Sequence, residues 1–305
     1  MLQKIILAPF RGFCAGVDRA IFAVEECLQR FGTVYVYHQI VHNTHVVKDL
    51  ESKGAVFVER VEEVPNGSYL VFSAHGVSPQ VKSNANNFKL LPIDATCPLV
   101  TKVHIEAQDF FRKGFTIILI GHENHQETLG TMGYAPMTLV QTVEDVEKLK
   151  IENEKIVYLT QTTLSLDDTK EIVEALKKKF PNIQSPKVDD ICYATQNRQD
   201  SVKELAEVCQ LILVVGSHNS SNSNRLVETA KRFGVRSYLI EDKSKIKFDW
   251  FENVESVGLT SGASVPEFLV RDVIEEIRNR FRKISISNLE RIDEKIEFAL
   301  PRELN

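Results

Sequence analysis

Cys14, Cys97 and Cys192 are the residues of this chain most suited to chemistry. Each follows a strand-like run and precedes a helix-like one, in the contexts IILAPFRGFC-AGVDRAIFAVEE, LPIDATC-PLVTKVHIEAQDFF and DDIC-YATQNRQDSVKELAEV. They divide the chain into similar thirds. A helix N-terminus is the positive end of the peptide dipole, so a thiol there is stabilised as thiolate, the form that binds metal. Three thiolates meeting at one point would make a soft site with an open fourth position. Such a site suits a catalytic zinc or an iron–sulfur cluster with one undercoordinated iron. Cys27 and Cys209 fall inside helical runs among Ala, Val and Leu and read as small buried apolar residues.

Other reactive side chains gather just past strand-like runs. TVYVYHQ leads into IVHNTH with His42 and His45, YLVFSAH ends at His75, and FTIILIGH leads into ENHQET with His122, His125 and Glu127. KIVYLTQ leads into Thr162, LILVVGS into HNSSNSN, and VGLTSG into Ala263-Ser264. In open α/β sheets ligands bind beyond the carboxyl ends of the strands, so these clusters belong on the functional edges. Ser220, Ser221 and Asn222 lie in the HNSSNSN run before a helix, a pattern suited to phosphate through backbone N–H groups and side-chain donors. The same pattern is also a common helix cap. Ser264 precedes Val265-Pro266 in a second, weaker candidate. Glu127 beside a metal site could move protons. Neither GxGxxG nor a Walker-type loop follows a strand, and HEXXH is absent, so nucleotide binding and zincin proteolysis are not expected.

The elements that must position these residues alternate. Strands are predicted at 4–9, 33–39, 55–59, 69–75, 90–95, 115–122, 138–142, 155–161, 211–217, 236–241 and 257–262. Helices are predicted at 17–31, 99–112, 167–180, 198–209, 223–233 and 266–280. The strands are short and continuously apolar, as parallel strands covered on both faces are. The fold class is therefore α/β, read as three similar modules with parallel sheets at 1–97, 98–192 and 193–285, followed by a charged tail at 286–305 that packs against another part of the chain. At 305 residues, with a net charge of −5, the chain offers no electrostatic case for nucleic acid. No apolar run is long enough for a membrane span, and MLQKIILAPF reads as a first strand rather than a signal peptide. Five cysteines, an odd number, suit a reduced cytoplasmic compartment.

Longer segments carry a resemblance. FRGFCAGVDRAI (10–21), HQIVHN (38–43), FSAHGVS (72–78), DATCPLVTKVH (94–104), GTMG (130–133), TQTTLS (160–165), DDICYATQNRQ (189–199), NSSNSNRL (219–226), TSGASVP (260–266) and the closing FALPREL are similar to the 4-hydroxy-3-methylbut-2-enyl diphosphate reductases, which act last in the non-mevalonate isoprenoid pathway. The resemblance spans essentially the whole chain. It implies three α/β modules in pseudo-threefold arrangement around a 4Fe–4S cluster held by Cys14, Cys97 and Cys192, with the substrate hydroxyl facing the iron that has no cysteine. It implies that His42, His75, His125, Thr162, Ser220, Ser221, Asn222 and Ser264 hold an allylic diphosphate, and that Glu127 donates the proton. The reaction implied is a two-electron reductive dehydroxylation giving isopentenyl and dimethylallyl diphosphate. With no flavin or nicotinamide motif, the electrons would come from a partner such as ferredoxin or flavodoxin. His218 stands where many relatives are expected to have lysine, which bears on phosphate affinity and not on the reaction; Asn124 and the QETLG stretch also look atypical, yet the His-x-Glu pair survives. On chemistry alone a cysteine-ligated zinc hydrolase of phosphate esters and a phosphate-binding protein with structural cysteines remain open.

Overall fold

Runs such as LILVV and TIILI carry apolar side chains on both sides of the strand, so they are stable only where helices cover both faces of the sheet. That requirement shapes the whole chain. The computed structural model describes residues 2–290 and 294–304. Its first third contains β1 (Lys4–Leu7), α1 (Ala15–Phe31), β2 (Val34–Tyr37), α2 (Thr44–Ser52), β3 (Ala55–Val58), β4 (Tyr69–Phe72), α3 (Pro79–Asn87) and β5 (Leu91–Asp94). Then come α4 (Pro98–Arg112), β6 (Thr116–Ile120), α5 (Gln126–Met132), β7 (Met137–Val140), α6 (Val143–Lys148), β8 (Ile156–Thr160) and α7 (Leu166–Lys179). The last part holds α8 (Tyr193–Val208), β9 (Leu211–Val215), α9 (Ser221–Arg232), β10 (Arg236–Ile240), β11 (Ser256–Ser261), α10 (Glu267–Arg280) and β12 (Ser285–Asn288).

The chain forms two compact units. The first comprises Met1–Ala15, His42–Val46 and Tyr193–Glu297; the second comprises Gly16–Val41, Val47–Cys192 and Phe298–Asn305. The first unit is built on a five-stranded parallel sheet in the order β10-β9-β11-β1-β12. Leu211, Leu213 and Val215 of β9 pack with Leu269, Val273 and Ile277 of α10 on one face. Ile212 and Val214 pack with Val202 and Leu205 of α8 and Leu226 of α9 on the other.

The second unit holds a four-stranded parallel sheet, β3-β2-β4-β5, and a three-stranded parallel sheet, β7-β6-β8. Along β6 the side chains alternate: Ile118 and Ile120 join Ile172 and Leu176 of α7, while Ile117 and Leu119 join Val103 and Ala107 of α4. The closing FALPREL segment belongs to this unit; Leu304 is buried and its carbonyl accepts a 2.7 Å hydrogen bond from Arg30 Nη1.

All eleven predicted strands form, within three parallel sheets, as expected for the α/β class. Three features depart from the sequence reading. The sheets do not follow the thirds of the chain at its ends: β1 lies between β11 and the tail strand β12. β12 has every side chain exposed, so no apolar alternation announced it; it is held by backbone pairing to β1. Helices α2, α3, α5 and α6 were also not predicted, being short and weakly apolar. Their caps hold them instead: α6 carries a full Thr142–Asp145 capping box.

Candidate active site

The three cysteines share one local construction. Each is the last residue before a helix, Cys14 before α1, Cys97 before α4 and Cys192 before α8. Each backbone N–H donates to the carbonyl of the second residue past a strand: Cys14 to Ala263 after β11 (3.1 Å), Cys97 to Ala74 after β4 (3.0 Å) and Cys192 to Thr162 after β8 (3.0 Å). The repeat seen in the sequence is thus a repeat of strand end, cysteine and helix N-terminus.

The approach to each cysteine is fixed separately. Gly12, in a left-handed conformation at φ 79°, donates to Ser261 Oγ (2.9 Å) and accepts from Arg198 Nη2 (2.8 Å). Ahead of Cys192, the buried Asp190 carboxylate accepts from Thr160 N–H (2.9 Å) and Lys102 Nζ (2.8 Å). All three cysteines are half-buried. Cys27 and Cys209 are buried, as the sequence reading expected, and burial pushes their thiols up to about 11 and about 12, so they stay neutral.

Among the described residues no three His, Cys, Asp or Glu side chains converge as a ready metal-ligand group. Three cysteine sulfurs are nevertheless a soft donor set of the type that zinc and iron–sulfur centres take. Each sulfur is half-buried and stands at the start of a helix.

Glu127 stands in the first turn of α5, and only 3 % of it is exposed. Its carboxylate accepts two hydrogen bonds from one residue, Thr162 N–H to Oε1 (2.6 Å) and Thr162 Oγ1 to Oε2 (3.0 Å). Burial raises its pKa to about 7; the Thr162 bonds pull downward and the nearby Asp190 charge pushes further up. His125 caps the same helix, its Nδ1 accepting from Glu127 N–H (3.2 Å), which places the ring proton on Nε2. The His75 ring meets the His125 ring edge to face, with centroids 5.9 Å apart.

The GTMG segment explains this proximity. A Cβ on Gly130 would lie 3.0 Å from the Gly76 carbonyl oxygen, and one on Gly133 would collide with Ser78. The two glycines let α5 lie directly on the His75–Ser78 loop. Gly76 is itself left-handed at φ 79°, and a Cβ there would meet His104 Cε1 at 2.6 Å. Gly76→Ala and Gly130→Ala are each expected to cost about 1–3 kcal/mol of stability through overpacking. A denaturant midpoint unchanged in both variants would refute this packing account.

His42, Ser220, Ser221, Asn222 and Ser264 belong to the first unit. Burial lowers the His42 pKa to about 4, so its ring is neutral near pH 7. Ser264 Oγ donates to the His42 carbonyl (3.1 Å), joining two of the predicted binding residues directly. Ser220 caps α9, accepting from Ser223 N–H (3.3 Å). Asn222 Oδ1 accepts from Ala263 N–H (3.0 Å), and its Nδ2 donates to Thr195 Oγ1 (3.3 Å). Ala263 therefore joins the Asn222 side chain to the Cys14 amide through its own peptide groups. Cβ atoms at Gly216 or Gly262 would strike Ser223 Oγ, so these glycines give Ser223 its place beneath the loop. His218, the departure noted in the sequence, is exposed.

The sequence-predicted residues thus fall into two sets. Cys97, Cys192, His75, His125, Glu127 and Thr162 lie in the second unit; Cys14, His42, Ser220, Ser221, Asn222 and Ser264 lie in the first. Sequence reasoning missed the supports Asp190, Lys102, Arg198 and Thr195. DDIC places an acid two residues before a cysteine, the one signal that could have pointed to Asp190.

The chain is similar to known proteins over nearly its whole length. The sequence model of the family described as LytB protein matches residues 5–278. A 4-hydroxy-3-methylbut-2-enyl diphosphate reductase of Psychrobacter sp. (strain PRwf-1) is 52% identical over 310 aligned positions, covering 99% of this chain and 97% of that protein. One of Streptomyces avermitilis is 54% identical, covering 99% and 90%. The solved structure of the E-1-hydroxy-2-methyl-but-2-enyl-4-diphosphate reductase from Plasmodium falciparum matches with a TM-score of 0.97 at 41% identity, covering 100% of this chain and 97% of that one. A solved (E)-4-hydroxy-3-methyl-but-2-enyl diphosphate reductase, described as the terminal enzyme of the non-mevalonate pathway, matches at a TM-score of 0.66 and 33% identity, covering 91% and 100%. Family model, full-length relatives and fold agree, and the chain belongs to the LytB family.

Proposed function

We propose that this chain is the reductase that converts (E)-4-hydroxy-3-methylbut-2-enyl diphosphate to isopentenyl and dimethylallyl diphosphate, the last step of the non-mevalonate route. The overall change consumes two electrons and two protons; the C–O bond breaks, a C–H bond forms, and the hydroxyl leaves as water. One observation carries the chemical reading: a buried carboxylic acid with a pKa near 7 is bonded to Thr162, whose carbonyl holds the amide of Cys192. A proton donor and a candidate redox ligand are thereby tied to the same residue.

Cys14, Cys97 and Cys192 would hold a 4Fe–4S cluster, leaving one iron without a protein ligand. When bound, such a cluster supplies electrons and a Lewis-acidic iron. The protein's own residues do the rest. Glu127, protonated for much of the time at neutral pH, gives its proton toward the leaving hydroxyl, and the Thr162 hydroxyl relays it by exchanging donor and acceptor roles. His125 offers Nε2–H as a donor. His42, His75, Ser220, Ser221, Asn222 and Ser264 bind the diphosphate, together with the N-terminal N–H groups of α9. Neutral His42 donates one N–H at first, and a bound diphosphate raises its pKa toward a charged, stronger donor. Holding the diphosphate fixes the reacting carbon, an orientation effect. Electrons come from a soluble carrier such as ferredoxin or flavodoxin, and five thiols suit a reducing cytoplasm. No helix among the described residues is long and apolar enough to cross a membrane.

Anaerobic assay with reduced methyl viologen and the diphosphate substrate tests the activity. Product formation supports it; stoichiometric zinc with phosphate release would instead support a hydrolase. Asn222→Ala and Ser264→Ala are expected to weaken diphosphate binding about ten- to a hundredfold, as loss of a hydrogen bond to a charged group does, with cluster content unchanged. Calorimetry with substrate and inorganic diphosphate checks this, and unaltered affinity in both variants removes the loop from the binding site.

A further inference from the structure

Arg19 lies in the second turn of α1 and spends its guanidinium on three backbone carbonyls. Nε donates to Ala299 O (2.6 Å), Nη1 to Thr96 O (3.0 Å) and Nη2 to Asp94 O (3.5 Å). The first carbonyl belongs to the closing FALPREL segment and the other two to the turn that leads into Cys97. Among the described residues no carboxylate pairs directly with this side chain: the Asp94 carboxylate is held by Lys82 Nζ (2.7 Å) and by Thr96 N–H (3.1 Å). The cation is half-buried, and Asp94, the Cys97 sulfur and Glu303 all act on it through space.

We propose that Arg19 is a positioning residue of the redox site: it fixes the turn presenting Cys97, docks residues 298–304 against that turn, and keeps a permanent positive charge beside the Cys97 sulfur. The inference rests on Cys97 being a cluster ligand. Reduction adds negative charge at the ligating sulfurs, so a partly desolvated cation nearby favours the reduced state. The planar fork of arginine suits three carbonyls at once; lysine supplies the charge without the fork. The tail is pinned independently by the Arg30–Leu304 bond and by burial of Pro301 and Leu304, so its docking and the Arg19 geometry support one another.

The test compares wild-type, Arg19→Met and Arg19→Lys holoproteins by redox titration followed by electron paramagnetic resonance, and by hydrogen exchange of residues 298–304. Arg19→Met is expected to lower the reduction equilibrium constant at least threefold, about 30 mV for one electron, and to speed exchange in the tail. Arg19→Lys is expected to recover most of the potential but not the tail protection. If Arg19→Met does not fold, Arg19→Gln, which keeps two donors and loses the charge, makes the same comparison. An unchanged midpoint at wild-type iron and sulfide content overturns the proposal, as do equal shifts in the Met and Lys variants. Wild-type protein that takes up no cluster overturns the functional reading instead, and exchange in the cluster-free chain then still decides whether Arg19 docks the tail.

Discussion

Serine at Cys14, Cys97 or Cys192 is expected to give protein with little or no iron and sulfide and no measurable reductase activity. The hydroxyl is a harder, less acidic donor than the thiol, and a cluster held by the three proposed sulfurs would have no spare ligand to compensate. The backbone around each position is built independently of the sulfur: the amides of Cys14, Cys97 and Cys192 are held by Ala263, Ala74 and Thr162, whatever the side chain. Serine should therefore leave the fold in place, and circular dichroism should match the wild type while the brown colour is lost. Cys27→Ser and Cys209→Ser are the controls. Both sulfurs are buried among apolar residues, so serine costs stability there, on the order of 1–3 kcal/mol for an unsatisfied hydroxyl, but the cluster stays. Wild-type iron content in any of the first three variants would remove that cysteine from the ligand set.

Much of this arrangement was legible because strand, polar cluster and helix recur in order. LILVV and TIILI could only be covered strands, and the residues past their ends had to face the functional edge. The cysteines announced themselves by type and by their places before helical runs. The supports did not. Arg198 looks like an ordinary helical arginine, yet it is buried and donates to Gly12 and Ala194 carbonyls. Arg19 likewise gives no hint in sequence that it serves carbonyls far away in the chain. β12 was invisible because backbone pairing leaves no periodic mark on exposed side chains. The helix beneath Glu127 was missed because QETLGTM depends on a histidine cap and on glycine contacts rather than an apolar stripe. In the α9 loop Ser220 is the cap that the simpler reading expected, and capping does not prevent the remaining N–H groups of that turn from meeting an anion.

Glu127→Gln is expected to lower kcat by roughly 10²–10⁴-fold, the usual loss when a general acid is removed, with substrate affinity largely kept. Glutamine matches the shape and can still accept from Thr162, but it has no proton to give. The pH profile separates this role from simple positioning. With a pKa near 7, wild-type turnover should fall as pH rises through that value, because the donor form is lost; the variant's residual rate should lack that limb. Stability supplies a second, independent readout. The folded pKa of about 7 lies above the ordinary 4.5, so the folded state holds the proton more tightly than the unfolded chain. That contribution is fully present below about pH 4.5 and is lost as pH rises through about 7, amounting to as much as about 3 kcal/mol across the window. Glutamine carries no such charge, so the variant should lose less stability than the wild type between those pH values. Parallel denaturation curves at pH 5 and pH 8 check the sign. If the variant changes only KM, with kcat and the alkaline limb intact, Glu127 serves in positioning and the acid must be sought at His42, His125 or a water held by Thr162.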